Sequence, residues 1–212
     1  MAPVIWILGW AVSLIFIALA VLRVNKTIDE KAVPFMAILA AGIFVAQMLN
    51  FPIIGGTTGH LIGAALATVL LGPWAAMLII TVILIIQGLI FGDGGITALG
   101  LNILNMAIIG SLSAWAIISL VPKKYEMTGI FAAAWTSVFL AATACALQLS
   151  FSYAIDPAFG IDGTIAIPTM LASHAIIGLG EGVITTGIVV FLAKVAPETL
   201  KMRVPSEKGA GA

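Results

Sequence analysis

The chain has 212 residues, of which 62% are hydrophobic and only 8% charged, and its formal net charge is zero. A mean hydropathy of +1.22 lies far outside the range of a soluble domain. Apolar runs fill the whole length, which leaves no room for a sizeable nucleotide-binding or hydrolase domain.

The runs are 4–22, 33–50, 59–91, 98–120, 127–149 and 171–193. In lipid the backbone must satisfy its own hydrogen bonds, so spans of this composition are helices. The period-2 alternation of a membrane barrel is absent. Residues 4–22 have no Lys or Arg before Arg23. A cleaved signal peptide opens with positive charge, so this run reads as a retained span.

The run 59–91 is too long for one span: as a single helix it would extend about 50 Å against a hydrocarbon core of about 30 Å. Gly72 and Pro73, in "LLGPW" (70–74), read as a helix stop followed by a proline start. Charge supports the division. The nine Lys and Arg residues fall in three groups: Arg23, Lys26 and Lys31; Lys123 and Lys124; and Lys194, Lys201, Arg203 and Lys208. If all three groups are cytoplasmic, an even number of crossings separates each from the next. Dividing the run into 59–72 and 74–91 satisfies that parity.

The expectation is an all-α integral membrane protein with seven transmembrane helices, the N-terminus outside and the C-terminus cytoplasmic. Residues 1–196 form one seven-helix membrane domain, and 197–212 form a polar, disordered cytoplasmic tail. The external loops are then 50–58, 92–97 and 150–170. The third helix, 59–72, is short enough to be tilted or only partly spanning.

Most of the unusual polar residues fall near the outer face. His60 ends "NFPIIGGTTGH" (50–60) at the mouth of the third helix, and His174 lies near the outer end of the seventh. Asp93 stands in "FGDGG" (91–95), and Asn50 ends the second helix. Asn102 and Asn105 are three apart and share a helix face. Imidazole is a common ligand for nickel, cobalt and zinc, so an outward pocket carrying histidines suits capture of a small cation. Other readings stay open. A histidine at a membrane interface can be structural, "GGTTGH" can be a turn with Thr capping the third helix, "DGG" can be only a turn, and paired asparagines can tie helices together.

Glu181 lies within the seventh helix, on nearly the same face as His174. A carboxylate at that depth is functional, or an ion pair, or a protonated acid bonded to a neighbouring helix. Small residues four apart (Ala37 with Ala41, Gly42 with Ala46, Gly178 with Gly182) allow close helix approach or a partner in the membrane.

Several chemistries are missing. There is no G-x-x-x-x-G-K-[ST] phosphate loop, no H-E-x-x-H and no paired-cysteine metal site. Cys145 is alone and can form no internal disulfide. Intramembrane acids are too few for an evident proton relay.

Three segments carry a family resemblance: "AQMLNFPIIGGTTGHLIGAALATVLLGPWAA" (46–76), "QGLIFGDGGITALGLNILNMAIIG" (87–110) and "HAIIGLGEGVITT" (174–186). In order and spacing they resemble the CbiM/NikM family, the substrate-capture (S) components of energy-coupling-factor transporters for cobalt and nickel. The resemblance covers nearly the whole chain. It implies a multi-pass subunit of a prokaryotic cell membrane that binds Co²⁺ or Ni²⁺ from outside and is not itself an enzyme. Its partners would be a transmembrane coupling (T) subunit, cytoplasmic ATPase subunits and a small accessory membrane subunit. Beyond these it needs only the lipid bilayer. No nucleic acid and no resident cofactor is expected, since the metal is cargo. In cobalt systems that cargo typically feeds cobalamin biosynthesis.

The resemblance makes His60, which ends the G-G-[ST]-x-G-H motif, a metal ligand. Asn50, Asp93, Asn102, Asn105, His174 and Glu181 stay, on their placement alone, candidates for the pocket or for groups that surround the ligands. The resemblance also exposes a departure. Family members begin Met-His-Ile or similar, and the free amine, a nearby backbone nitrogen and the second-position histidine complete a planar all-nitrogen site with the motif histidine. Here the chain begins "MAPVIWILGW", with Ala2 at the second position. One expectation is a paralogue without the full site. The preferred one is a start further upstream, with an in-frame His-bearing head, because the surroundings of His60 are intact. Imidazole and amine nitrogens accept both metals, so cobalt and nickel are not distinguished. The rival classes are a stand-alone secondary transporter or channel for a divalent cation, and a membrane enzyme lacking any recognisable nucleophile–base pair.

Overall fold

A computed structural model describes residues 1–54 and 57–201. Residues 202–212, most of the expected tail, lie outside it, as do Gly55 and Gly56 of the glycine-rich motif. The described chain is helical almost throughout. Helix α1 is Pro3–Thr27 and α2 is Val33–Gln47. A short antiparallel hairpin follows, β1 (Phe51–Ile53) and β2 (Thr57–Gly59), with Phe51 opposite Gly59 and Ile53 opposite Thr57. Helix α3 is Ala64–Leu71, and α4 is Pro73–Ile86 with a π-helical extension through Gln87–Phe91. Helix α5 (Ile96–Asn102) runs through a π-helical stretch, Ile103–Ile109, into α6 (Gly110–Leu120). The chain closes with α7 (Glu126–Ile155), α8 (Gly163–Val195) and the short α9 (Pro197–Lys201).

Among the described residues five helical stretches are long and apolar enough to cross a membrane: Pro3–Thr27, Pro73–Phe91, Ile96–Leu120, Lys123–Ile155 and Gly163–Val195. Helix α2, with 15 residues, is a shorter apolar helix. The expected third helix is corrected most. Residues 59–63 are not helical, and α3 has only eight residues, about 12 Å of helix. All eight are buried, so α3 is an internal strut of the bundle. The expected break after it is present: Gly72 has φ 81° and ψ 168°, which only glycine adopts readily, and Pro73 begins α4.

Two expected loops are corrected as well. Segment 50–58 contains β1 and part of β2, because strands of three residues around Pro52 leave no periodic signal. Segment 150–170 shrinks to 156–162, because α7 runs to Ile155 and α8 begins at Gly163. The Asp162 carboxylate caps α8, accepting from the Thr164 N–H (2.8 Å) and the Thr164 hydroxyl (2.7 Å). Pro168 sits inside α8, where a sequence reading stops the helix. The expected tail 197–212 begins instead with the turn of α9.

The core centres on α4, whose Met77, Ile80 and Ile83 are fully buried, with α3 packed beside it. Helices α7 and α8 lie along one another. Gly178 and Gly182 give α8 a smooth face against Trp135 and Phe131 of α7, and the Trp135 indole N–H donates to the Ala175 carbonyl at 3.0 Å. Gly42 makes no such contact and opens onto a cleft between α2 and α8. Helix α1 is anchored by Ser13, whose hydroxyl donates to the Gly100 carbonyl at 2.6 Å. Met1, the hairpin strand β2, Asp93, Gly94 and Ile161 gather at one end of the bundle. Lys26, Lys123, Lys124 and Lys194 lie in the turns of the other.

Candidate metal centre

A cavity of about 240 Å³ opens at the hairpin end, and its wall is more polar than that of the cleft between α2 and α8. Residues 57–62 supply Thr57, Thr58, His60 and Ile62. Where α4 widens into its π-helical turn it presents Gln87, and the second π-helical stretch presents Asn105 and Met106. Such stretches re-aim side chains and are frequent at functional sites. Helices α7 and α8 add Cys145, Met170 and His174, and Met1 closes one side.

Both histidines are held in the same way. His60 Nδ1 lies 2.7 Å from the Leu61 carbonyl, and His174 Nδ1 lies 2.9 Å from the Met170 carbonyl. A carbonyl only accepts, so in each neutral ring Nδ1 carries the proton and Nε2 keeps its lone pair. Metal-binding histidines are commonly fixed this way, with one nitrogen donating to the protein and the other free for the ion. Gly59 lies close to α8: a Cβ there would stand 3.2 Å from His174 Cε1 and 2.6 Å from Ile177 Cδ1, so a side chain at this position would press on both.

The remaining residues singled out from the sequence divide. Asp93, Asn102 and Asn105 line the cavity with the histidines. Asn105 forms a two-way amide pair with Gln148 of α7, at 2.8 and 2.7 Å, which ties the π-helical stretch to α7. Asn102 packs against Gly94, where any Cβ would run into its Nδ2. Asn50 is not among the residues of the wall, and its side-chain amide makes a long 3.4 Å contact with the Asp93 carboxylate. Glu181 is also outside the cavity. It is 2% exposed and accepts from two consecutive backbone amides, Ile62 N–H (2.6 Å) and Gly63 N–H (2.8 Å). Its hydrogen-bond partners among the described residues are therefore backbone amides.

Sequence reading passed over Gln47 and Gln87. Gln47 donates to the Ile62 carbonyl at 2.6 Å and accepts from Gln87 at 3.0 Å. An amide inside an apolar run is costly in lipid, and that cost was the signal available for both. Among the described residues no three His, Cys, Asp or Glu side chains converge as a metal cluster. The side-chain donors on this wall are two imidazoles, the Asp93 carboxylate and the Cys145 thiol beside amide and thioether groups, a mixed set suited to a borderline cation.

The long apolar helices around this histidine-bearing cavity define a multi-pass membrane protein. Residues 1–199 match the family model described as the cobalt uptake substrate-specific transmembrane region, CbiM, and the chain belongs to that family. A Haloquadratum walsbyi protein named for metal transport is 39% identical over 92% of this chain and 88% of its own length. The fused nickel transport protein NikMN of Rhodobacter capsulatus is 34% identical over 96% of this chain, which spans 62% of the fused protein. The cobalt transport protein CbiM of Sorangium cellulosum is 31% identical over 93% of this chain and 91% of its own. The fold is similar to a crystal structure of a transition metal transporter, with TM-score 0.87 and 35% identity, covering 95% of this chain and 93% of that one. A truncated transition metal transporter is similar to the same degree, with TM-score 0.86 and 35% identity over 92% and 95%.

Proposed function

We propose that this chain is the ion-capturing membrane subunit of an energy-coupling-factor importer for Co²⁺ or Ni²⁺, with His60 Nε2 as a direct ligand of the ion. The observation that carries the reading is the pair of imidazoles at one cavity, each with Nδ1 committed to a carbonyl and Nε2 free. Membership of a cobalt-uptake family and likeness to nickel and cobalt transport proteins give the cargo class. The cavity faces outside. Support for that orientation is the gathering of lysines at the opposite end of the bundle, the arrangement expected of a cytoplasmic face. On this reading seven helical segments build the membrane domain, with α2 and α3 completing the five long helices.

The subunit is not an enzyme. No phosphate loop is present in the chain, so energy comes from separate cytoplasmic ATPases through a transmembrane coupling subunit, with a small accessory membrane subunit alongside. Asp93, Asn102, Asn105 and His174 shape the cavity and hydrogen-bond the ion's remaining water or ligands. Where cobalt is the cargo, it supplies cobalamin biosynthesis.

The test is uptake of radioactive Ni²⁺ and Co²⁺ at limiting metal, with His60→Ala introduced at the chromosomal locus. Uptake falls at least about tenfold in the variant. It also falls to background when the partner ATPase is deleted. Undiminished uptake in the variant overturns the ligand assignment. Undiminished uptake without the ATPase favours a stand-alone transporter.

A further inference from the structure

His60 stands on a segment with no regular structure of its own, between β2 and α3. Such a segment would wander unless something outside it held it. Two buried side chains do so, from two different helices, and a third braces one of them. Both oxygens of Glu181 (α8) are used on the amides of Ile62 and Gly63. Gln47 (α2) takes the carbonyl of the same Ile62. Gln87, at the end of α4, in turn donates to Gln47, and its own carbonyl accepts from the Asp93 N–H at 3.0 Å. The Ile62 peptide is thus gripped at both its N–H and its C=O, two residues beyond His60. Gln47, Gln87 and Glu181 are each at most 3% exposed, so these bonds are protected from water.

From this arrangement we infer that Glu181 is the positioning residue of His60. It acts through the Ile62–Gly63 backbone to hold the His60 imidazole at the ion and does not touch the ion itself. The second half follows from placement. Glu181 lies on the wall of a separate apolar cleft of about 280 Å³ between α2 and α8, whereas His60 lies on the wall of the polar cavity. The hydrogen bonds of Glu181 reach the backbone of the segment that carries His60. An adjacent amide pair suits a carboxylate with two acceptor oxygens. Glutamine in its place would set an NH₂ donor against one of the two N–H groups. The inference rests on the ligand role proposed for His60.

The experiment uses the full chain produced from its own locus and purified in detergent, with Ni²⁺ as the probe. Glu181→Gln weakens Ni²⁺ binding by about 10- to 100-fold, the range for residues that orient a metal ligand. The ligand-field absorption of bound Ni²⁺ shifts, and the Ile62 and Gly63 amides exchange hydrogen faster while amides of α4 do not. The double variant His60→Ala/Glu181→Gln binds no more weakly than His60→Ala alone, because the two act in series. If Glu181→Gln cannot be recovered from the membrane, Glu181→Asp reads the same quantities: it keeps the charge and withdraws the carboxylate by one methylene. Unchanged affinity in the Glu181 variant overturns the inference. Lost affinity with unchanged exchange at Ile62 and Gly63 also overturns it, since Glu181 would then be touching the ion. Unchanged affinity in His60→Ala removes the underlying ligand reading instead, so the two failures are told apart.

Discussion

At the scale of single residues, the chemistry of this protein lies in how a few polar groups are held within an apolar bundle. The free Nε2 of His60 and His174 follows from a carbonyl beside each Nδ1, a local feature that sequence inspection cannot see. His60 itself was legible, because it closes a glycine-rich motif at the edge of an apolar run. The partner of Glu181 was not, since the amides it meets lie 118 and 119 residues away in the chain. At the surface, Asp162 shows the ordinary logic of a helix cap. The Thr164 hydroxyl and then the Thr164 N–H hold its carboxyl below the usual aspartate range. A depressed folded-state pKa adds stability above the unfolded pKa, and that stability is lost as pH falls through the folded value. Asp162→Ala therefore lowers the thermal midpoint at neutral pH, and the difference from the parent narrows on acidification below the aspartate range. Tryptophan fluorescence melts at the two pH values measure it.

At the scale of elements, the apolar runs gave good helix centres and poor helix ends. The cores of α1, α4 and α7 were legible because long apolar stretches in lipid have only one economical backbone state. The end of α7 and the start of α8 were missed because Ser150, Tyr153, Asp156 and Pro168 look like loop residues, although helix continues through all but Asp156. The hairpin was missed for a different reason. Its strands are three residues long, and strand alternation needs more than that to be recognised. The corner between α3 and α4 was legible as Gly72–Pro73, and the observed dihedrals of Gly72 explain why. Gly72→Ala is expected to destabilise the protein by about 1–3 kcal/mol, the cost of forcing a side chain into that backbone region. Thermal or denaturant unfolding of the detergent-solubilised protein checks this value, and an unchanged midpoint would mean that the corner relaxes freely.

At the scale of the whole molecule, the fold separates two tasks. One end carries the histidine-bearing cavity, and the other carries Lys26, Lys123, Lys124 and Lys194. Between them α3 and α4 form a buried axis about which the remaining helices pack. The proposed orientation predicts sidedness directly. In a background with Cys145 replaced, a cysteine at Ala158 reacts with a membrane-impermeant maleimide in intact cells, whereas one at Glu198 reacts only after permeabilisation. The opposite pattern would reverse the orientation and place the cavity on the cytoplasmic side.

Binding of Ni²⁺ or Co²⁺ at the cavity through His60 is tested most directly by X-ray absorption of the purified, Ni²⁺-loaded protein made from its own locus. The expected spectrum shows nitrogen as the dominant ligand atom with an imidazole contribution, and His60→Ala loses that contribution together with most of the bound Ni²⁺. A His60→Ala protein that keeps full Ni²⁺ occupancy and the same imidazole signal would contradict it.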